Sequence, residues 1–238
     1  MSGCGTDVWL LDPLPLTLRS QKDLPLSTEE WVRAARLVRK ADRLAFVAAR
    51  VLARMLLART ASCEPHVIGL ELDARGRPSI TSPDRLRRYD VSISHTQGLV
   101  GVAIAGRGAV GLDLEPLDRP VEVASLADLV LAVPERNALR DLPAEAAQAR
   151  FLRLWTLKEA YLKARGTGLA EDPAAIAFDP DCDPMAVTLL PSDGASWTFR
   201  QRTWSTGHVV AVCHATGAGP VRYHDAGHDP ALGEVLKI

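Results

Sequence analysis

Hydrophobic residues recur with helical spacing in two long stretches of the chain. In the first stretch they stand three or four positions apart, at Leu44, Val47, Val51 and Met55. The second stretch covers about residues 145–164 and directs four large residues to a core: Phe151, Leu154, Trp155 and Leu162. This spacing predicts two long amphipathic helices. Gly166 is expected to end the second helix, and Ser27 with Glu30 predicts a further helix start with a capping box.

The remaining hydrophobic positions alternate with small or polar residues over short segments. These segments are residues 67–72, 91–95, 100–104, 110–115, 175–178, 186–190, 197–202 and 209–213. Period-two alternation between glycine-containing turns predicts antiparallel strands. We expect a strand followed by a loop in residues 1–27, and a helical region over residues 123–165 that is broken near Pro134 and Pro143.

The order of these elements is helix, strands, helix, strands, which predicts an α+β fold with two similar halves. We place the N-terminal half at residues 1–108 and the C-terminal half at residues 109–214. Residues 215–238 show no clear period, and we expect them to form a loose tail.

Composition and charge exclude several classes of protein. The 238 residues are 47% hydrophobic and 24% charged, which is typical of a soluble globular protein. Lys and Arg number 28 against 29 Asp and Glu, so a broad basic surface for nucleic acid or an anionic membrane is not expected. The four cysteines include no C-x-x-C pair, and no signal peptide or apolar span is visible. These features favour a cytoplasmic protein.

One glycine pattern imitates a dinucleotide-binding fingerprint. Gly106, Gly108 and Gly111 match G-x-G-x-x-G. That fingerprint must open a helix, whereas the residues that follow here, 112–116, alternate as a strand and end in proline. We therefore interpret these glycines as a hairpin turn.

Acidic residues on the strand at residues 110–115 are the first candidates for chemistry. Asp113 and Glu115 are two positions apart and thus share one face of the strand. Hard oxygen ligands of this kind suit Mg²⁺. The alternative is a solvent-facing strand that carries two acidic residues, and spacing alone does not exclude it.

The late helix carries a second candidate set. Glu159 precedes Lys163 by four residues, which is equally the spacing of an ordinary helix ion pair. His95 ends a strand in Ser94-His95-Thr96, and a lone histidine is more often structural than catalytic. No serine lies in a G-x-S-x-G elbow, so a hydrolase triad has no support.

Four segments follow one another in an order that resembles a known family. They are R-G-R-P at residues 75–78, V-S-I-S-H-T at 91–96, V-G-L-D-L-E at 110–115 and W-T-L-K-E-A-Y-L-K at 155–163. The G-x-D-x-E and W-x-x-K-E-A-x-x-K pair, about 40 residues apart, resembles the longer, Sfp-type 4′-phosphopantetheinyl transferases. The resemblance implies two pseudo-symmetric halves, each a small antiparallel sheet packed with a long helix, with the active site at their interface.

The resemblance also implies the reaction and its metal. Such an enzyme moves the 4′-phosphopantetheine arm of coenzyme A, its substrate, onto a serine of an apo acyl or peptidyl carrier protein, releasing adenosine 3′,5′-bisphosphate. Position by position, Asp113, Glu115 and Glu159 correspond to the ligands of Mg²⁺, for which Mn²⁺ can substitute. Glu159 also corresponds to the general base, and Lys163 to the group that stabilises charge at the pyrophosphate or protonates the leaving oxygen.

Coenzyme A contacts follow from the same comparison. Ser94 and His95 correspond to contacts to the coenzyme phosphates, and His95 is counted with Glu159 and Lys163 among the catalytic residues. Arg43 and Arg77 correspond to the basic residues that hold the nucleotide end. Arg33 and Arg36 are further candidates for phosphate contacts. Ser92 departs from the family, which usually has asparagine at this position.

The resemblance further implies partners. The segment between Glu115 and Phe151 is expected to meet the carrier protein, with docking residues Leu126, Leu129 and Leu131. A chain of two halves supplies both sides of the site, so we expect a monomer. Polyketide, nonribosomal peptide or fatty acid synthesis would supply the carrier.

Two other functions remain open from the residues. The same carboxylates would serve a metal-dependent phosphohydrolase that cleaves a coenzyme A-like pyrophosphate with water. Alternatively, the chain is a non-catalytic protein that binds coenzyme A or a carrier. Retention of Asp113, Glu115, Glu159 and Lys163 together argues against this alternative.

Overall fold

A computed structural model describes residues 5–13, 24–179, 186–189 and 196–235 of the chain. Its helices are α1 (Thr28–Arg36), α2 (Lys40–Ala61), α3 (Val123–Val130), α4 (Val133–Leu139), α5 (Ala144–Arg165) and α6 (Pro230–Val235). The early strands are β1 (Thr6–Leu11), β2 (Gly69–Leu72), β3 (Pro78–Ser82), β4 (Asp90–Thr96), β5 (Leu99–Ala105) and β6 (Val110–Pro116). The late strands are β7 (Ala177–Asp179), β8 (Ala186–Leu189), β9 (Trp197–Thr203), β10 (His208–Ala215) and β11 (Val221–Asp225).

The first layer of the fold is a four-stranded sheet with α2 packed against it. Its strand order is β11-β1-β5-β4, and the β1–β5 and β5–β4 pairs are antiparallel. The apolar face of α2 contributes Val47, Val51 and Leu56 to a core shared with Val91 and Val102 of the sheet. The capping box at the start of α1 is present, since Ser27 and Glu30 exchange hydrogen bonds.

The second layer is a three-stranded sheet with α5 packed against it. Its order is β6-β10-β9, and both pairs are antiparallel. Phe151, Leu154 and Leu162 of α5 are buried in this core, as the periodicity predicted. Gly166, with φ at +66°, ends the helix in the left-handed conformation that glycine adopts without strain.

The two sheets pack face to face through a third apolar cluster. Leu112 and Leu114 of β6 contact the face of the first sheet that carries Leu10 and Gly101. A Cβ at Gly101 would lie 2.9 Å from side-chain atoms of Leu112 and Leu114, so the absence of a side chain allows this close approach. The predicted α+β fold, with two sheets each carrying a long helix, is therefore confirmed.

The glycine-rich connection at residues 106–109 does not form the predicted hairpin. It joins β5 to β6, and these strands belong to different sheets. Period-two alternation identified both strands, but it carries no information about which strands pair. The strand after the glycines does exclude the dinucleotide fingerprint, as expected.

Residues near the C-terminus form regular structure, so the prediction of a loose tail at 215–238 is wrong for the described part. Strand β11 pairs in parallel with β1, and this pair is the exception to an otherwise antiparallel sheet. Arg222 and His224 of β11 bind the buried Asp7 side chain of β1 at 2.8–2.9 Å. Five residues with mixed polarity do not produce a detectable period, although tertiary pairing makes them a strand.

Smaller differences occur at element ends. The strand predicted at residues 67–72 begins at Gly69, because Pro65–Val67 forms a 3₁₀ turn. The predicted helix breaks coincide with the starts of α4 and α5, where Pro134 and Pro143 stand, and proline is favoured at the start of a helix. Residues 14–23 lie outside the described part. Among the described residues, no helix is both long and apolar enough to cross a membrane.

Candidate active site

The candidate site forms where α5 packs against β6. A Cβ at Gly111 would lie 1.8 Å from the backbone oxygen of Ala160, so only glycine allows the helix to lie this close to the strand. Residues 111, 113 and 115 share one face of β6, and this face is turned towards α5. The predicted acidic strand face is therefore buried under the helix that carries Glu159 and Lys163, and it does not face solvent.

Lys163 joins three elements in the middle of this site. Its Nζ lies 2.6 Å from Oδ1 of Asp113 and donates to the Ser94 hydroxyl and the Leu112 carbonyl, both at 3.1 Å. The Ser94 hydroxyl in turn donates to Asp113 Oδ1 at 3.1 Å. Lys163 thus pairs with a strand carboxylate, so the i,i+4 partner on its own helix, Glu159, is not its principal contact.

Strand β4 is tied to β6 by its side chains. Asp90, Ser92 and Ser94 stand at alternate positions of β4. The Asp90 carboxylate accepts from the Val110 N–H at 2.7 Å, and the Ser92 hydroxyl accepts from the Leu112 N–H at 3.0 Å. Ser92, where the family usually has asparagine, therefore satisfies a backbone group of β6.

Glu115 is buried next to Asp113. Burial, followed by the nearby Asp113 charge, raises the pKa of Glu115 to about 7, although Arg119 and a hydrogen bond from Trp155 favour its ionised form. Arg119 lies 2.9 Å from Oε1 of Glu115.

Glu159 lines a cleft of about 230 Å³ between the two halves of the fold. The other lining residues include Arg75, Arg77, Ser92, Lys163 and Gly166. Burial, followed by the Asp113 charge, raises the pKa of Glu159, and Lys163 partly offsets this. A half-buried carboxylate with a raised pKa is suited to accept a proton near neutral pH.

The carboxylates fit a divalent cation by their chemistry. Asp113 Oδ2 and Glu115 Oε2 are buried without a hydrogen-bond partner, which is costly unless a cation satisfies them. In the described residues, no three acidic, histidine or cysteine side chains converge as a ready metal site. The protein's own cations, Lys163 and Arg119, hold one oxygen each of Asp113 and Glu115.

His95 lies at the surface among positive charges. The surrounding protein displaces water and lowers the pKa of His95, and the charges of Lys163, Arg50 and Arg33 lower it further, against an opposing contribution from Asp42. A negative charge beside this imidazole would act in the opposite direction and favour its protonated form. His95 and Arg33 are thus placed in one positive region. Arg36 is exposed on α1.

The two arginines predicted to bind coenzyme A have protein partners. Arg77 lines the cleft, where its guanidinium pairs with Asp90 and donates to the Val110 carbonyl at 3.2 Å. Arg43 donates to the Leu37 carbonyl at 3.0 Å and does not line the cleft. The Nε atoms of both arginines are buried without a hydrogen-bond partner. Arg77 therefore lines the cleft and Arg43 does not, and the assignment of Arg43 to coenzyme A binding stays a prediction.

Two residues of the site were not predicted from the sequence. Arg75 is exposed in the cleft, where it donates to the Gly166 carbonyl at 3.1 Å. Its place in the same R-G-R-P turn as Arg77 was the available signal. Arg119, the partner of Glu115, follows that residue by four positions, but no period or motif marks it.

The predicted docking leucines fall into two classes. Leu126 and Leu129 are exposed on α3, with 37% and 66% of their area accessible, and Val133 at the start of α4 is 59% accessible. Leu131 is completely buried and packs under α5. The prediction of Leu131 as a surface contact is therefore wrong, because it lies on the inner side of the turn between α3 and α4.

Family models match both halves of the chain. The model of the 4′-phosphopantetheinyl transferase superfamily matches residues 109–213, and the model named 4′-phosphopantetheinyl transferase, N-terminal, matches residues 20–107. Together these matches cover most of the chain.

Individual proteins similar to this chain include named phosphopantetheinyl transferases. The 4′-phosphopantetheinyl transferase HetI of Nostoc sp. is 35% identical over 193 residues, which are 80% of this chain and 78% of the relative. The L-aminoadipate-semialdehyde dehydrogenase-phosphopantetheinyl transferase of Eremothecium gossypii is 28% identical over 90% of this chain and 78% of its own length. A holo-(acyl-carrier-protein) synthase structure from Bacillus anthracis, in complex with coenzyme A (3′,5′-ADP), is 23% identical with a TM-score of 0.39, over 45% of this chain and 94% of that one.

Proposed function

The chain belongs to the 4′-phosphopantetheinyl transferase superfamily. We propose that the phosphopantetheine group of coenzyme A is transferred to a carrier-protein serine in the cleft between the two halves. The enzyme is a 4′-phosphopantetheinyl transferase. The observation that carries the site is the convergence of Asp113, Glu159 and Lys163 beside arginines that line the cleft.

Positive side chains of the site suit a pyrophosphate substrate. Lys163 and the exposed Arg75 line the same cleft, and His95 lies in a region made positive by Arg33 and Arg50. Arginine forks bind terminal phosphates in two-pronged geometry, and a lysine supplies a compact charge for the oxygen that leaves. Transfer of this kind depends on positioning and on charge around the phosphates.

Asp113, Glu115 and Glu159 are proposed to hold Mg²⁺, or Mn²⁺ in its place. Support comes from the two buried carboxylate oxygens without hydrogen-bond partners and from the raised pKa of Glu115. When bound, a divalent cation supplies positive charge to pyrophosphate oxygens. Lys163 and Arg119 hold the other oxygens, Oδ1 of Asp113 and Oε1 of Glu115, which leaves Oδ2 and Oε2 as the candidate ligand atoms.

Glu159 is proposed as the general base. Its carboxylate faces the cleft, and its raised pKa lies nearer to neutrality than that of a free glutamate. It removes the proton of the carrier serine, directly or through a water molecule. Lys163 is proposed to protonate or stabilise the leaving phosphate oxygen. Its Nζ is held in place because it donates hydrogen bonds to Ser94, Leu112 and Asp113.

The carrier protein is proposed to dock on the segment between β6 and α5. We define the docking face as the exposed apolar side chains Leu126, Leu129 and Val133 of α3 and α4. A carrier from polyketide, peptide or fatty acid synthesis is expected to be the partner. We also propose a cytoplasmic monomer with halves at residues 1–108 and 109–214, since one chain supplies both sides of the cleft.

The reaction is tested by intact-mass spectrometry of an apo carrier protein incubated with coenzyme A, MgCl₂ and this protein. The expected result is a mass gain of one phosphopantetheine that EDTA abolishes. Consumption of coenzyme A without a gain on several carriers would instead indicate a phosphohydrolase. Neither consumption nor gain would indicate a protein that only binds its ligands.

A further inference from the structure

Lys158, the first lysine of the W-x-x-K-E-A-x-x-K segment, does not reach the cleft. Its side chain is completely buried, and its Nζ lies 2.6 Å from Glu135 of α4. It also donates to the carbonyls of Ile176 at 2.6 Å and Pro173 at 2.9 Å. Successive residues on a helix differ in direction by about 100°. Lys158 therefore points away from the face that carries Glu159.

Glu135 gathers three parts of the chain around this lysine. One carboxylate oxygen accepts from the Phe178 N–H of β7 at 2.9 Å, and the other accepts from the Ala132 N–H at the start of α4 at 2.8 Å. Glu135 is itself buried. The pair thus fastens α4 and β7 to α5 at the residue next to Glu159.

The same pair fixes the docking face. Val133 begins α4 only two residues before Glu135, and Leu129 lies one turn of chain earlier on α3. Leu131 between them is buried beneath α5. In the described part of the chain, the Lys158–Glu135 pair is a charged contact that joins this segment to α5, the helix that carries Glu159.

We propose that Lys158 is a positioning residue, which with Glu135 holds the carrier-docking face of α3 and α4 at a fixed distance and orientation relative to Glu159. The inference rests on the proposed function. It assigns to Lys158 no contact with coenzyme A and no part in proton transfer. Its effect is on how a bound carrier serine is presented to Glu159.

A paired substitution separates this role from loss of folding. Lys158→Met alone leaves a buried, unpaired carboxylate, which is strongly destabilising. Lys158→Met with Glu135→Gln removes both charges, while the glutamine carbonyl still accepts from one backbone N–H. Neutral replacements of whole buried pairs are often tolerated. Arg153→Met, on the same helix with its guanidinium bonded to Thr203 at 3.1 Å, is the matched control.

Two measurements are made on the double variant after circular dichroism has shown native secondary structure. Hydrogen exchange is expected to speed up in residues 131–139 relative to wild type. The kcat/KM for an apo carrier is expected to fall about 10- to 100-fold, as for displaced reactants, while the Kd for coenzyme A stays within about twofold of wild type. Arg153→Met is expected to change neither quantity.

The proposal is overturned if the folded double variant keeps wild-type kcat/KM for the carrier. It is equally overturned if coenzyme A affinity falls by the same factor as kcat/KM, since Lys158 would then act at the coenzyme site. Failure of the proposed function is a different result, because wild-type protein itself would then give no mass gain on any carrier.

Discussion

Nζ of Lys163 on α5 lies 2.6 Å from Oδ1 of Asp113 on β6, so helix and strand are joined by an ion pair. The Ser94 hydroxyl, from the other sheet, bonds to both groups. This three-element contact places the ammonium group at the junction of the two halves. Under the proposed function, substrate phosphates would compete with the Asp113 carboxylate for this positive charge.

Glu159→Gln is expected to reduce phosphopantetheine transfer by about 10²- to 10⁴-fold, because an amide cannot accept the serine proton. The side chain keeps its size, so the thermal unfolding midpoint should stay near that of wild type. The rate is measured by mass spectrometry of the carrier at saturating coenzyme A. Glu145→Gln, at the exposed start of the same helix, is the control. A Glu159→Gln enzyme within threefold of wild type would assign the base to another residue.

Local sequence patterns predicted the elements of this site but not its contacts. Period-two alternation correctly put Asp113 and Glu115 on one face of β6, and the helical spacing correctly put Glu159 and Lys163 on α5. Spacing alone favoured a Glu159–Lys163 ion pair. The structure instead pairs Lys163 with Asp113, because Gly111 lets the helix lie against the strand. Such an approach is a tertiary property that no period within one element records.

The stability of the free protein is expected to depend on Glu115 between pH 4.5 and about 7. Its folded pKa is about 7 against an ordinary value of 4.5, so the folded state binds more protons than the unfolded state in this window. Stability attributable to Glu115 therefore falls as pH rises through it, by about 3 kcal/mol in all. Urea unfolding of wild type and Glu115→Gln over this range measures the difference. Equal pH slopes for the two proteins would contradict the raised pKa.

Mg²⁺ is expected to offset the loss of folding stability that accompanies ionisation of Glu115. Ionised carboxylates bind a divalent cation and protonated ones do not, so MgCl₂ should raise the wild-type melting temperature more at pH 8 than at pH 5. Glu115→Gln should show a smaller increase at pH 8. An equal increase at both pH values would place magnesium binding away from Asp113 and Glu115.

Replacement of Arg75 is expected to change coenzyme A binding, whereas replacement of Arg77 is expected to change the stability of the fold. Arg75→Ala removes an exposed cation from the cleft, so the KM for coenzyme A should rise while stability changes by less than about 0.5 kcal/mol. Arg77→Ala leaves the partly buried Asp90 carboxylate without its charged partner and with only backbone N–H donors, at a cost of about 1–3 kcal/mol. Steady-state kinetics and urea unfolding of both variants separate the effects. Arg77→Ala with unchanged stability would mean that Asp90 does not depend on this arginine.

Sequence information was weakest where burial depends on distant parts of the chain. The sequence does not distinguish Leu126, Leu129 and Leu131, yet of these three only Leu131 is buried against α5. Similarly, residues 221–225 become a strand because β1 offers a free edge and Asp7 offers a partner for Arg222. Both outcomes require knowledge of what packs against the segment.

Leu129→Asp is expected to weaken the carrier interaction selectively. Leu129 is 66% accessible, so aspartate at this position meets water in the free enzyme and should change stability by less than about 0.5 kcal/mol. In a contact with the carrier, aspartate would bury a charge and remove apolar contact, both of which raise the carrier KM. The KM for coenzyme A and the thermal midpoint should not change. Leu131→Ala is the informative comparison, because truncation of a completely buried leucine costs about 2–5 kcal/mol. If Leu129→Asp leaves the carrier KM at its wild-type value, the docking face must lie outside α3, and the carrier would approach the cleft from another side.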